Sequence, residues 1–293
     1  MGGSGARLWR VHSEGELWRA EGQGIRLDWQ PTAWVPLPLD RQLDGCDVLA
    51  DERREADRRL DRIAASVEQL GGCSHLALAV PGLRSPDGRG IVVARNGPRI
   101  PGLLSGLEQR LGLVGSHLCG DGLAGAAGEL CGWGGVLGGL SSGLYLGGGT
   151  GLAEALVVGG QVSELGAHMP KAWQVDAPSG RNLEDSLAPY RMARDPELLD
   201  AQGNLVVQRI WPRLAAYVTL RRAQFASAFG APLERIVVAQ GLARLLREAK
   251  LPGEDWERHV VFSDLPAAPA LGAVALASDP DLEAHGQDNT TPP

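Results

Sequence analysis

The amino-acid sequence predicts an α/β chain of two similar lobes. Apolar runs of strand length alternate with runs of helical period along most of its 293 residues. A β-hairpin pattern heads each half. A glycine loop opens each hairpin, at Gly2-Gly3-Ser4-Gly5 and at Gly148-Gly149-Thr150-Gly151. In both copies a valine stands six residues after the last glycine (Val11, Val157), and a glycine turn follows, at Gly15 and at Gly159-Gly160. The copies lie about 150 residues apart, a domain-sized period. Chance repetition among 41 glycines is the competing reading.

The second copy is the one the chain is organised around. An apolar run at Leu144, Tyr145 and Leu146 enters the turn, and Ala155 to Val158 leave it. Four of the five residues from Gly147 to Gly151 are glycine. They are expected to permit positive φ and close approach to a ligand. Consecutive N–H groups there would form an anion-binding nest, and Thr150 adds a hydroxyl. A plain glycine-rich hairpin is the alternative.

The elements follow in order. Alternation from Ala6 to Val11, the turn at Ser13-Glu14-Gly15 and the run from Glu16 to Ala20 predict the first hairpin. Residues 29–39, rich in Trp and Pro, read as irregular. Residues 47–70 predict a helix with Leu49, Ile63, Val67 and Leu70 on an apolar face and the 51–59 charge run in solvent, ended by Gly71-Gly72. Leu76 to Val80 and Ile91 to Val93 are strands. Residues 103–111 are a helix with Leu103, Leu107 and Leu111 on one face. Residues 113–118 form a weak strand leading into Gly120-Asp121-Gly122. The small residues from Ala124 to Gly128 predict a helix packed close to another backbone or a ligand. Residues 163–169 read as a loop, and 179–186 open a helix. Residues 205–229 predict a long helix kinked at Pro212. Arg235 to Ala239 is a strand, 242–249 a helix, His259 to Phe262 the last strand and 267–277 a small-residue helix. From Ser278 the polar, Pro-ended chain predicts disorder.

Composition removes several functions. The chain is 44% hydrophobic and 22% charged, as expected of a soluble globular protein. It has no apolar run long enough for a membrane helix and no h-region of a secretory signal. Net charge is -7, which argues against nucleic-acid or anionic-membrane partners. Lys171 and Lys250 are the only lysines, and neither follows a glycine, so a Walker A loop is excluded. Cys46, Cys73, Cys119 and Cys131 have no metal-site spacing and read as reduced thiols of a cytoplasmic protein.

Eight stretches in order resemble the ROK family of sugar kinases, within the actin–hexokinase–Hsp70 superfamily. They are Gly2-Gly3-Ser4; Val80-Pro81-Gly82 with Asn96; Gly120-Asp121-Gly122 with Gly128-Glu129; the 146–151 loop; Glu164-Leu165-Gly166-Ala167-His168; Gly180-Arg181-Asn182-Leu183-Glu184; Val237 to Gly241; and Ala270 to Val274. The resemblance covers nearly the whole chain. It implies a two-lobed, ribonuclease H-like fold of the actin/hexokinase ATPase type, each lobe a mixed sheet flanked by helices. It places an N-terminal lobe at 1–117 with the 267–277 helix packing back on it, a C-terminal lobe at 118–266 and a disordered tail at 278–293.

The resemblance also implies chemistry: ATP-dependent phosphorylation of a hexose or amino-hexose, with Mg²⁺ carried by the nucleotide and a dimer as the assembly. Asp121 would be the general base; its other reading is a helix N-cap. Asn96, Glu164, His168 and Glu184 would bind sugar hydroxyls. The alternatives are a turn residue for Asn96, solvated carboxylates for the glutamates and a structural imidazole for His168. Gly2, Gly3, Ser4, Gly148, Gly149, Thr150, Gly151 and Gly241 would hold ATP.

The departures from the family pattern are specific. The family aspartate that helps bind Mg²⁺, and the strand carrying it, would precede Met1, so they are expected upstream or lost. Gly120 and Leu123 replace two asparagines. His168 lies four residues after Glu164 where the family has three. Glu154 replaces a glycine, and the adenosine loop carries Gln240. The zinc cysteines are absent, so no structural zinc is expected. A catalytically impaired sugar- or nucleotide-binding sensor, or another superfamily kinase or ATPase, are the alternative functions.

Overall fold

A computed structural model describes residues 5–30, 32, 34–177, 180–247, 256 and 259–284. Gly2, Gly3 and Ser4, the first predicted phosphate loop, lie outside the described residues. The hairpin that follows is longer than its sequence pattern and broken midway. Strands β1 (Gly5–Leu8), β2 (Val11–Glu14), β3 (Leu17–Ala20) and β4 (Ile25–Asp28) form two antiparallel ladders, β1 with β4 and β2 with β3. Gly15, at φ 67°, makes the tight turn between β2 and β3.

After the short helix α1 (Leu39–Leu43) comes α2 (Ala50–Gln69). Leu60, Ile63 and Val67 are buried on its inner face, whereas Leu49 is exposed ahead of its first turn. The charge run is not all in solvent. Glu52 and Arg99 form a buried pair, with Nη2 donating to Oε2 at 2.8 Å. Arg59 donates to Glu55 at 2.8 Å and lies 4.9 Å over the Trp29 ring. Those charges go inside because each meets a counter-charge contributed by, or packed against, another segment. A linear charge count cannot register that.

Strand β5 (His75–Val80) is followed by the small ladder of β6 (Leu83–Arg84) with β7 (Ile91–Val93), then by helix α3 (Leu103–Leu111). Strand β8 (Gly115–Gly120) runs parallel to β5 and passes directly into helix α4 (Asp121–Cys131). One apolar core joins β1, β4, β5, β7 and β8 to α2 and α3.

The glycine hairpin is the centre of the largest sheet. Strands β9 (Ser142–Gly148), β10 (Leu152–Val158) and β11 (Gln161–Glu164) form an antiparallel meander. Helices α5 (Leu183–Leu187), α6 (Pro189–Met192) and α7 (Trp211–Phe229) intervene before β12 (Arg235–Ala239). Helix α8 (Gln240–Leu246) links β12 to β13 (Val260–Phe262), and α9 (Ala268–Ser278) closes the fold. The sheet order is β11-β10-β9-β12-β13, with β12 parallel to both neighbours. Alternate residues of β9 face opposite sides: Leu144 and Leu146 join the core under α7 and α8, and Tyr145 joins the core with α4 and α9.

Helices α4 and α9 pack backbone to backbone, as the run of small residues predicts. A Cβ on Gly128 would strike the Ala268 carbonyl, and one on Gly272 the Ala124 carbonyl. Pro212 does not kink α7. It lies in the first turn, where its missing N–H has no intrahelical partner to lose, and residues 207–209 form a separate 3₁₀ turn. Residues 279–284 are ordered, against expectation. Gln161 Nε2 donates to the Asp281 carbonyl and Ala284 N–H to the Val162 carbonyl, both at 2.8 Å. The rest of the predicted tail, 285–293, lies outside the described residues, as do 248 and 249 of the predicted 242–249 helix. Among the described residues no helix is long and apolar enough to cross a membrane.

Candidate active site

Asp121 occupies the junction of β8 and α4. The N-cap is Gly120, in extended conformation, and Asp121 is the first residue inside the helix. Its Oδ1 accepts the N–H of Gly122 at 3.0 Å and caps neither of the next two amides. The N-cap reading of Asp121 is therefore corrected by one residue: glycine takes the cap because its site has little room for a side chain. A Cβ on Gly120 would stand 3.0 Å from Oε1 of Glu164. Burial raises the Asp121 pKa above the ordinary carboxylate value, and the negative charge of Glu164 adds to the shift.

The 148–151 loop closes β9 onto β10, with Gly148 opposite Leu152. None of its glycines has positive φ. Their role is close approach. A Cβ on Gly148 would meet the Leu242 side chain at 2.7 Å, and one on Gly151 would meet Oε1 of Glu184 at 2.5 Å. Gly149 faces open space. Its N–H is used internally, by the Gly151 carbonyl at 2.9 Å. The Thr150 hydroxyl has no hydrogen-bond partner among the described residues. Gly241 backs this loop, since a Cβ there would lie 2.6 Å from the Gly148 carbonyl oxygen.

Gln240 is the positive-φ residue that the glycine pattern conceals. At φ 59° it is the one non-glycine in that region among the described residues. Its Nε2 donates to the Tyr145 hydroxyl at 2.9 Å, which anchors the β12–α8 turn to the central strand. Asp121, Gly148, Gly149, Gln240 and Gly241 together line one end of a groove of about 1340 Å³.

Glu164 and Glu184 both reach this region, but each already has a cation. Lys171 Nζ donates to Glu164 at 3.2 Å, with Arg84 at 3.8 Å. Arg95 Nη1 donates to Glu184 at 3.1 Å. Burial raises the Glu184 pKa, and the Arg95 guanidinium opposes that rise. Arg84, Arg95 and Lys171 are absent from the sequence-derived site. An arginine in a turn carries no local signal of which carboxylate it will meet 89 positions later.

Asn96 is exposed in the bend beside Arg95 and has no hydrogen-bond partner among the described residues; its neighbour Arg95 is the residue that reaches across to Glu184. His168 is exposed, its Nε2 3.1 Å from Ser163 Oγ and its ring 5.0 Å from that of Phe229. Neither contact is with Asp121, Glu164 or Glu184. Glu154, which follows the 148–151 loop, points to the face of the sheet under α7. It accepts hydrogen bonds from Tyr217 at 2.6 Å, from Arg221 at 2.6 and 3.1 Å, and from the Ala172 N–H at 2.8 Å. Among the described residues no His/Cys/Asp/Glu group has the makings of a metal site by itself.

A β-meander extended by parallel strands, and a strand-to-helix junction bearing an acid beside a glycine hairpin, are features of the actin/hexokinase-type ATPase fold. Solved structures carry the comparison further. An inorganic polyphosphate/ATP-glucomannokinase from Arthrobacter sp. strain KM superposes with a TM-score of 0.62 at 18% identity, over 93% of this chain and 99% of that one. A ROK family glucokinase from Streptomyces griseus, solved with glucose and AMPPNP, gives 0.60 at 19% identity, over 94% and 96%. The protein therefore has the fold of the ROK sugar kinases. That fold is also used for regulation: a ROK family transcriptional regulator, homolog of the E. coli Mlc protein, gives 0.51 at 14% identity, over 87% of this chain and 72% of that one. No protein-family model matches the chain, and no curated protein does.

Proposed function

We propose that the protein is an ATP-dependent kinase of a hexose or amino-hexose. The single observation that carries this is the convergence on Asp121. The acid stands at the end of a groove whose wall is the 148–149 turn and Gln240-Gly241, and Glu164 lies against the residue before it. Phosphoryl transfer needs positioning and charge stabilisation more than covalent chemistry. It also needs a group to take the proton of the attacking hydroxyl. With its pKa raised by burial, Asp121 is closer to the range in which a base works near neutrality.

In this reading Asp121 accepts the proton of a sugar hydroxyl as that oxygen bonds the γ-phosphorus and the bond to ADP breaks. Glu164 and Glu184 hold other hydroxyls, and a site of this kind rejects sugars lacking them. Thr150, with its free hydroxyl, and the 148–151 backbone hold phosphate oxygens, and Gly241 borders the nucleotide. Gly2, Gly3 and Ser4 would complete the clamp. Mg²⁺ would arrive with the nucleotide and keep several of its waters, with few protein carboxylates around it. The ion would supply neutralisation of phosphate charge. The two lobes would divide at residue 117/118 and close over the sugar to exclude water. Contacts of α9 with β2, β3 and β5 support its assignment as the element returning to the first lobe, while its most extensive packing is on α4 of the second.

A second reading is a sugar-binding sensor with little turnover. The observation favouring it is the pairing of Glu164 with Lys171 and of Glu184 with Arg95, which a sugar must displace or share. One experiment separates the two. ADP release from Mg-ATP is measured across a panel of hexoses and amino-hexoses, with calorimetric titration of the same sugars. Sugar-dependent turnover supports the kinase. Binding without turnover supports the sensor, and the absence of both binding and turnover would remove both readings.

A further inference from the structure

Three cations stand around the two candidate hydroxyl-binding glutamates, and pairing them off leaves one over. Lys171 Nζ donates to Oε2 of Glu164 at 3.2 Å, and Arg95 Nη1 to Oε1 of Glu184 at 3.1 Å. Each carboxylate then has its counter-charge. The other acids whose charge acts on Glu184 are answered elsewhere, Asp185 by Arg191 and Glu154 by Arg221. Arg84 is the remainder. Its Nη2 stands 3.8 Å from Oε1 of Glu164, and its Nη1 donates to the Leu118 carbonyl at 3.4 Å. Both contacts are long beside the about 2.7–2.9 Å of a charge-assisted hydrogen bond. The side chain is 32% exposed, and among the described residues no ion pair joins it to Asp121.

The fold brings this guanidinium to the acceptor side of the site. β6 and β7 form a two-stranded ribbon with Leu83 opposite Val93 and Arg84 opposite Ile91. Arg84 lies in that ribbon and Arg95 two residues past it, and each reaches a glutamate from the later half of the chain. Glu164 lies against Gly120, the residue before Asp121. Asp121 also lines the groove that holds Gly148, Gly149 and Gln240, but neither Arg84 nor Glu164 does. The surplus cation therefore stands with the hydroxyl-binding carboxylates and not on the wall shared with the phosphate loop.

A neutral sugar uses this charge poorly. A guanidinium has five N–H donors and no acceptor, in a planar fork that matches a carboxylate. A hydroxyl offers it one neutral bond, roughly half as strong as a charge-assisted one. A carboxylate on the acceptor takes two such bonds and cancels the surplus, while the acceptor's hydroxyls bond Glu164 and Glu184. We propose that the acceptor is a hexose bearing a carboxylate, of the hexuronic acid class, and that Arg84 is the residue that selects it. The proposal rests on the kinase reading's use of Glu164 and Glu184 as sugar ligands. A hexuronic acid has its carboxylate in place of the terminal hydroxymethyl group. The oxygen that bonds the γ-phosphorus, giving its proton to Asp121 as the bond to ADP breaks, is then that of a ring hydroxyl.

The test uses the full chain and matched sugar pairs: glucose with glucuronate, mannose with mannuronate, galactose with galacturonate. Calorimetric titration gives affinity, and ADP release from Mg-ATP gives turnover. At least one uronate is expected to bind ~10-fold or more tightly than its neutral partner. Raising salt from about 0.05 to about 0.5 M should narrow that gap. Arg84→Gln, which removes the charge, should melt like the parent and bind both members of the pair alike. Arg84→Lys should keep part of the preference, since it holds the charge without the fork. A neutral sugar bound as tightly as its uronate in every pair overturns the proposal, as does a preference undiminished in Arg84→Gln. So does an Arg84→Gln defect confined to the KM for ATP, which would put Arg84 on the phosphates. Turnover of neutral sugars alone keeps the kinase reading and overturns this proposal. Uronate-selective binding that depends on Arg84 but releases no ADP does the reverse, and no binding by any sugar overturns both.

Discussion

Asp121→Asn separates a base from a structural residue, because the two roles move rate and stability in different directions. Asparagine keeps the shape and an oxygen for the Gly122 N–H, now 3.0 Å away, but cannot take a proton at the reacting hydroxyl. A general base contributes about 10²–10⁴ in rate. Sugar-dependent ADP release should therefore fall at least ~10²-fold, about 2.7 kcal/mol of barrier. Stability should hold or rise. Burial raises the folded-state pKa of Asp121, so its favourable contribution is present below the unfolded pKa and is lost as pH rises through the folded one. The amide does not titrate, so the variant should gain on the parent as pH rises from about 4 to about 8. The assays are coupled ADP release with Mg-ATP and urea unfolding across that pH range. A rate loss under tenfold would refute the base. A variant less stable than the parent at neutral pH would show instead that the carboxylate holds the start of α4.

Three further outcomes follow from the buried charges and the close backbones. Arg221→Ala leaves Glu154 buried without its guanidinium, since the two side chains are 0% and 5% exposed, and should cost about 3–5 kcal/mol in urea unfolding; the double change Glu154→Leu with Arg221→Met should cost less. Arg95→Gln removes the charge that opposes the raised Glu184 pKa, so its destabilisation should be larger at about pH 8 than at about pH 5, and a pH-independent loss would argue against the pair. Gly128→Val forces a side chain into the Ala268 carbonyl and should destabilise the fold by more than the ~1–3 kcal/mol typical of overpacking between side chains, read as a lowered melting temperature; an unchanged melting temperature would show that α9 can move away from α4.

Much of the fold was legible because its signals are local. Apolar period marked α2, α3, β5 and β12, and the glycine hairpin announced β9 and β10. The small residues of α4 announced a close neighbour without naming it. Boundaries moved where local and tertiary signals compete. α7 starts at Trp211 and not at 205, since Pro212 is at home in a first turn and disruptive inside a helix. Residues 279–284 look like a tail but are held by β11. Of the residues singled out in the sequence, Glu164 stands beside Gly120, next to Asp121, and Glu184 beside Gly151, while Asn96 lies in an exposed bend and His168 against Phe229.

The sequence by itself determined the alternation of strands and helices, the glycine turn at 147–151 between two strands and an acid at a strand-to-helix junction. These depend on residues within a few positions of one another. Only the tertiary structure decided that the 148–151 glycines serve close approach and not left-handed turns, that Gln240 takes the strained φ, and that Lys171 and Arg95 answer the two glutamates. It alone revealed a groove that β1 and β5 line together with Asp121 and Gly148. Each of those depends on atoms far apart along the chain, and only packing brings them within reach.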